Sequence, residues 1–260
     1  MPLVISIAGS DPGRGAGLQM DERACRRLGV DFVGICALDT VQDDGGLQSV
    51  HPVEVDEIVA QLHGVLNERS AAVAGSVAVK TGALGNANLV NAIADVLSKH
   101  STIPVVVDPV RVASRSTGAE LLSQDGWHAM QNNLFPIATL VTPNTHEYGD
   151  GLSYSNCNAV LIKGGHAAAD VVEDEFWQAG KFVFKTKQKR LAGGTELHGT
   201  GCALSASIAA HLAQSYDLIS SVKSASDFIH RWIGEALQLK QDCNLETVDL
   251  LADGKWRPLS

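Results

Sequence analysis

His198-Gly199-Thr200-Gly201-Cys202 runs directly into Ala203-Leu204-Ser205-Ala206-Ser207-Ile208-Ala209-Ala210, a stretch of small and apolar residues suited to a buried helix. Glycines on both sides of a threonine at a helix start let successive backbone N–H groups turn toward one point. The helix dipole adds partial positive charge there. Such a place suits a phosphate whose charge is moving. The same residues also allow a plainer arrangement, with Thr200 as an N-cap and the glycines easing the turn. Cys202 falls in the first turn, where the dipole is expected to lower a thiol pKa. That leaves it as a proton acceptor, a nucleophile or a small buried side chain.

A second glycine cluster spans Gly9-Ser10-Asp11-Pro12-Gly13-Arg14-Gly15-Ala16-Gly17. Its spacing is neither a dinucleotide fingerprint nor a phosphate loop of the G-x-x-x-x-G-K type. It lets backbone close on a ligand, with Asp11 and Gln19 as hydrogen-bonding groups, or it is a surface loop. Asn144-Thr145-His146-Glu147 sets an amide and a carboxylate three apart at a helix start. They hold Mg²⁺, directly or through water, or they cap the helix reciprocally. Asp108, after three valines, is a second carboxylate for the same place.

The elements that must carry these groups alternate. Strands are expected at 3–8, 31–38, 77–79, 104–107, 138–141 and 160–162. Helices are expected at 15–28, 53–68, 86–99, 118–134, 200–213 and 217–239. Segments 171–177 and 181–187 read as a hairpin turned at Ala179-Gly180. This order implies right-handed βαβ units and one three-layer α/β/α arrangement with a central, mostly parallel sheet. Ligands in such sheets bind at the carboxyl ends of the strands. There the sequence places Gly9-Ser10-Asp11, Lys80-Thr81-Gly82, Asp108-Pro109, Thr142-Pro143-Asn144 and Lys163-Gly164-Gly165-His166.

Composition narrows the classes. A net charge of −9 argues against nucleic acid polymers. No stretch approaches a membrane span, and Met1-Pro2-Leu3 lacks a basic signal region. Five scattered cysteines without C-x-x-C argue against a zinc site or disulfide framework. A cytoplasmic protein with reduced thiols is expected.

Taken in order, GSDPGRGAGLQMD (9–21), VKTG (79–82), VVDPV (106–110), TPNTHE (142–147), IKGGH (162–166) and HGTGCALSASIAA (198–210) resemble the hydroxymethylpyrimidine/phosphomethylpyrimidine kinases of thiamine biosynthesis. These kinases belong to the ribokinase-like superfamily. The resemblance implies a single kinase domain over 1–240 with a tail at 241–260, and ATP-dependent phosphorylation of the pyrimidine's hydroxymethyl group. It implies an anion hole at Gly199, Thr200 and Gly201, with Cys202 where other ribokinase-like kinases place an aspartate base. Asp108, Asn144, Glu147 and Lys163 correspond to nucleotide- and phosphate-binding positions, with Mg²⁺ near Asp108 and Glu147, partly through water. Asp11, Ala16, Gln42, Ala83 and Val110 fall around the pyrimidine pocket. A homodimer is expected.

Four departures stand out. Gly13-Arg14 replaces Ser-Gly, Ala83 and Arg111 stand where methionines are usual, and the connection between Glu147 and Lys163 is short, with no helical pattern over 149–158. They keep two alternatives open: a pyridoxal or pyridoxine kinase, and a catalytically impaired homologue that only binds a ligand.

Overall fold

The computed structural model describes residues 1–13, 15–43, 46–70, 76–113, 120–149, 154–165, 170–194 and 197–242, without the side chains of 41–43, 46–48, 69 and 70. The strands are β1 (Leu3–Gly9), β2 (Asp31–Asp43), β3 (Gly46–Pro52), β4 (Val77–Thr81), β5 (Val105–Val107), β6 (Leu140–Val141), β7 (Ala159–Ile162), β8 (Val171–Gln178) and β9 (Lys181–Lys189). The helices are α1 (Gly17–Arg27), α2 (Val55–Ser70), α3 (Ala87–Ser98), α4 (Gln124–Ala129), α5 (Thr145–Tyr148), α6 (Thr200–Ala213) and α7 (Leu218–Asp242).

All nine strands join one sheet in the order β3-β2-β1-β4-β5-β6-β7-β8-β9. The six central strands are parallel, while the edge pairings β2–β3, β7–β8 and β8–β9 are antiparallel. Every residue of β1 is buried, as expected of a parallel strand covered on both faces. Leu3, Ile5 and Ile7 point into the core under α2 and α3. Val4 points into the core under α1, α6 and α7. The period-2 alternation of strand side chains thus divides the apolar residues between two cores. The expected three layers are present.

The differences from expectation are local. β2 extends five residues further than its apolar run and pairs with β3, an edge strand that the sequence reading omits. β3 alternates polar and apolar residues weakly, so its pairing was hidden. The helix expected at 118–134 begins only at Gln124, where Ser123 Oγ accepts the Gly126 N–H. It then loosens into a π turn at Met130–Leu134 and a 3₁₀ turn at Phe135–Ile137. Pro136 has no N–H to continue the ladder. The β8–β9 hairpin turns at Ala179 and Gly180 as expected, both at positive φ (48° and 72°), the backbone of a type I′ turn. The expected tail beyond α7 lies outside the described residues.

Candidate active site

The loop after β1 is built around one carboxylate. Asp11 Oδ1 accepts from Gly13 N at 3.0 Å, and Oδ2 accepts from Gly15 N at 2.9 Å and Ala16 N at 2.7 Å. Gln19 Oε1 accepts the Asp11 N–H at 3.0 Å. Asp11 and Gln19, expected to offer hydrogen bonds to a ligand, both shape the loop through these contacts. Arg14 lies outside the described residues.

That loop locks onto the start of α6. Gly199 sits at φ +76°, and a Cβ there would run into the carbonyl oxygen of Gly15. Gly17, at φ +56°, would meet the carbonyl oxygen of Gly9 in the same way. Both positions need glycine for their dihedrals and for the close approach. The N-cap of α6 is Gly199, not Thr200, and no side chain caps the helix. The plainer arrangement, Thr200 as a cap, is absent. The first-turn N–H groups of α6 lack a side-chain acceptor and can face an anion.

Cys202 stands in that turn. Burial pushes its thiol up to about 11, against the charge of Lys80 and a hydrogen bond from the Gly17 N–H, with Asp108 and Asp21 adding to the rise. The lowering expected from the helix dipole does not prevail. Loss of water around the sulfur outweighs it, and near neutrality the group is a thiol.

Beside the same turn, Lys163 Nζ lies 2.6 Å from Asp108 Oδ1, and a Cβ on Gly201 would be 3.3 Å from that amine. Ser205 Oγ, one turn into α6, donates to Asp108 Oδ2 at 3.2 Å. Burial would raise Asp108, but Lys163 and Lys80 overcome it and hold the carboxyl below its ordinary value. Lys163 is fixed by its backbone: its N–H donates to the Pro143 carbonyl at 2.8 Å. Gly164 packs so closely on the Glu173 carbonyl that no side chain fits there.

Asn144 and Glu147 form a capping box. Asn144 Oδ1 accepts the N–H groups of His146 and Glu147, each at 2.9 Å, and Glu147 Oε2 accepts the Asn144 N–H at 2.8 Å. Burial raises the Glu147 carboxyl, Lys163 opposes this, and the Arg111 N–H also donates to it. The structure thus realises the capping alternative while leaving Glu147 electrostatically tied to Lys163 and Asp108. Tyr154, seven residues after Glu147, packs back toward it. This buried residue stacks on Phe135 and Tyr148 at 5.2 and 5.3 Å between ring centroids. Its hydroxyl donates to the Glu147 carbonyl at 3.1 Å. Arg111 turns its guanidinium over Trp127, 4.7 Å from the ring centroid.

The other residues expected around a pyrimidine pocket lie at or near the same carboxyl ends. Ala16 caps α1. Ala83 is buried, its Cβ 3.8 Å from where a Cβ on Gly9 would lie. Val110 is half-buried, and its N–H donates to the Asp108 carbonyl at 2.8 Å. Gln42 lies in the extended part of β2, and its side chain is outside the described residues.

Asp21 and Ser205 were not singled out from the sequence as site groups, and Lys80 entered only with the strand exit Lys80-Thr81-Gly82, not as a buried charge. A lysine inside the apolar strand Val77-Ala78-Val79-Lys80 was the available signal, since a buried ammonium requires a carboxylate.

The donor set bears on a metal ion. Both oxygens of Asp108 are engaged by Lys163 and Ser205, and Glu147 receives two backbone N–H groups. Among the described residues no group of three or more His, Cys, Asp or Glu side chains converges on one point. Such a site suits Mg²⁺ that keeps its water and takes phosphate oxygens, with the carboxylates acting through water. No described helix is long and apolar enough to cross a membrane.

Known proteins match this arrangement. The phosphomethylpyrimidine kinase family model matches residues 11–150 and 148–246. The hydroxymethylpyrimidine/phosphomethylpyrimidine kinase of Haemophilus influenzae is 33% identical over 258 residues, covering 92% of this chain and 93% of that one. Among solved structures, the pyridoxal kinase of Staphylococcus aureus in complex with ADP superposes with a TM-score of 0.76. It is 28% identical, over 90% of this chain and 88% of that one. A phosphomethylpyrimidine kinase from Clostridium difficile shares the fold, with a TM-score of 0.72 at 24% identity, over 90% of this chain and all of that one. With sheet, glycine loops and family match in agreement, the chain belongs to the phosphomethylpyrimidine kinase family.

Proposed function

We propose that this protein transfers the γ-phosphoryl group of ATP to the hydroxymethyl group of 4-amino-5-hydroxymethyl-2-methylpyrimidine, and to the resulting monophosphate, in thiamine biosynthesis. The observation that carries the proposal is the uncapped start of α6, held open by the Gly15–Gly199 contact and flanked by the Lys163–Asp108 pair. Phosphoryl transfer requires in-line positioning and neutralisation of charge on the moving group more than covalent help. The N–H groups of Thr200, Gly201 and Cys202 serve the equatorial oxygens, and Lys163 adds a cation beside them. Asp108 and Glu147 would hold Mg²⁺ through water, with Asn144 fixing Glu147; the ion would supply charge neutralisation to the phosphates. Cys202 is the proposed proton acceptor: once its thiol has released its proton to solvent, the thiolate takes the hydroxyl proton as that oxygen bonds to phosphorus and ADP leaves. Asp11, Ala16, Gln42, Ala83 and Val110 are the proposed pyrimidine contacts.

The likeness to pyridoxal kinase supports a second reading, phosphorylation of pyridoxal at the same site. An ADP-release assay over the hydroxymethylpyrimidine, its monophosphate and pyridoxal separates the two. Highest kcat/KM on the pyrimidines is expected. Turnover on pyridoxal alone would replace the first reading, and turnover on none of the three would sink both. The proposal includes a homodimer, for which the exposed Phe182 and Val183 of the edge strand β9 offer apolar surface. Sedimentation at micromolar concentration is expected to give twice the chain mass.

A further inference from the structure

Lys80 and Asp21 form a charged pair that the proposed transfer does not use. Both side chains are wholly shielded from solvent, with Lys80 Nζ 2.8 Å from Asp21 Oδ2. Ser6, which faces Lys80 directly across β1 and β4, donates to the same oxygen at 2.6 Å. Asp21 Oδ1 has no hydrogen-bond partner among the described residues. A buried ion pair stabilises a fold little more than apolar side chains of the same volume, because desolvation offsets the attraction. Further along the same row of the sheet, Val106 and Leu140 fill the equivalent space without charge. A role for the charge itself is therefore the stronger explanation.

The fold shows where that charge is directed. Ala78 packs in the core under α6 and α7, so Lys80, two residues later, projects to the same face. Its amine rises toward the strand end, since a Cβ on Gly82 would lie 3.0 Å from Nζ. Glycine at 82 leaves that path open. α6 packs across β1, β4 and β5, and Cys202 in its first turn packs against the same core as Ala78. The charged groups that act on the sulfur are Lys80, Asp108 and Asp21, together with Lys163.

We propose that Lys80 is a positioning residue of the reaction centre, its ammonium favouring negative charge on the Cys202 sulfur, while Asp21, anchored by Ser6, limits how much of that charge the sulfur receives. The proposal rests on Cys202 as the proton acceptor. It separates two roles within one ion pair: the cation promotes ionisation of the sulfur and the anion restrains it.

The test is the alkylation rate of Cys202 by iodoacetamide at pH 8, followed by peptide mass spectrometry in the full chain, with half-buried Cys36 as internal reference. Lys80→Met is expected to slow Cys202 by about tenfold, the loss expected when a nearby opposite charge is removed. Asp21→Asn is expected to accelerate it several-fold, and Cys36 should not change in either variant. The double variant Lys80→Met/Asp21→Asn leaves no unpaired buried charge and is expected to be slow, like Lys80→Met, which keeps the test open if a single variant fails to fold. The pH profile of kcat should move in the same directions. Equal changes at Cys202 in both single variants, a fast double variant, or changes shared by Cys36 would overturn the proposal. Failure of the proton-acceptor assignment reads differently: Cys202→Ala would retain turnover whatever the alkylation rates show.

Discussion

Two lysine–aspartate pairs stand at neighbouring strand ends, and their surroundings differ more than their geometry. Lys80–Asp21 is sealed at 2.8 Å, with both side chains at 0% exposure. Lys163–Asp108 is bonded at 2.6 Å, with 12% and 2% exposure. The sealed pair is held by strand, helix and Ser6, and reaches the site only through its field. The other opens onto the α6 turn, where its lysine stands beside Gly201. Ion-pair distance alone therefore does not identify a group that meets substrate; access and the neighbouring backbone do.

The contrast can be broken most sharply by comparing truncations. Lys80→Ala strands a buried carboxylate and is expected to cost about 3–5 kcal/mol in urea denaturation. Lys163→Ala should cost far less stability, since solvent can reach the vacancy, yet lower kcat by about a hundredfold or more. If the two variants lose stability equally, the sealed and open pairs are not different in kind.

The pH dependence sharpens the comparison further. If the thiolate of Cys202 is required, log kcat should rise with unit slope from neutrality toward pH about 11. Cys202→Asp should flatten the curve over that range, because a carboxylate is already ionised. A flat wild-type profile would mean that proton removal is not coupled to the sulfur.

Asp108 contributes on the acid side. Its folded-state pKa lies below the unfolded value, so its contribution to stability is present above the usual carboxylate range and lost as pH falls through the folded value. Asp108→Asn should remove that part of the acid slope in a denaturation series from pH 6 to 3. An unchanged slope would show that Lys163 is not its effective partner. The smallest effect is expected at Tyr154→Phe, which removes one hydrogen bond to the Glu147 carbonyl and should cost about 1 kcal/mol. It should also raise the Mg²⁺ concentration needed for half-maximal rate more than the KM for the pyrimidine.

Much of the fold could be read from period and punctuation. The buried β1, α6 and the Ala179-Gly180 turn carry strong local signals, and each stands where the sequence indicated. β3 did not announce itself, because an edge strand buries little and its alternation is weak. Within the site, the two glycine clusters were visible as motifs, but their mutual contact was not, since it depends on how close two backbones approach. The sequence pointed to a depressed thiol at Cys202 because the helix dipole is local. Burial, which reverses that shift, is a property of the assembled layers. Asp11 was visible as a polar loop residue, but only the structure shows that three N–H groups already occupy it. Tyr154 was not visible as a site-supporting residue, because its bond to the Glu147 carbonyl and its stacking on Phe135 depend on the assembled fold.

The Gly15–Gly199 contact has a consequence for synthesis of the chain. Its two sides come from the first and last quarters of the polypeptide, and neither loop has the other's backbone to close against until α6 leaves the ribosome. A chain that ends before α6 would lack one side of the proposed phosphate cradle. Nucleotide affinity should therefore appear late in synthesis and abruptly, so that unfinished chains do not sequester ATP.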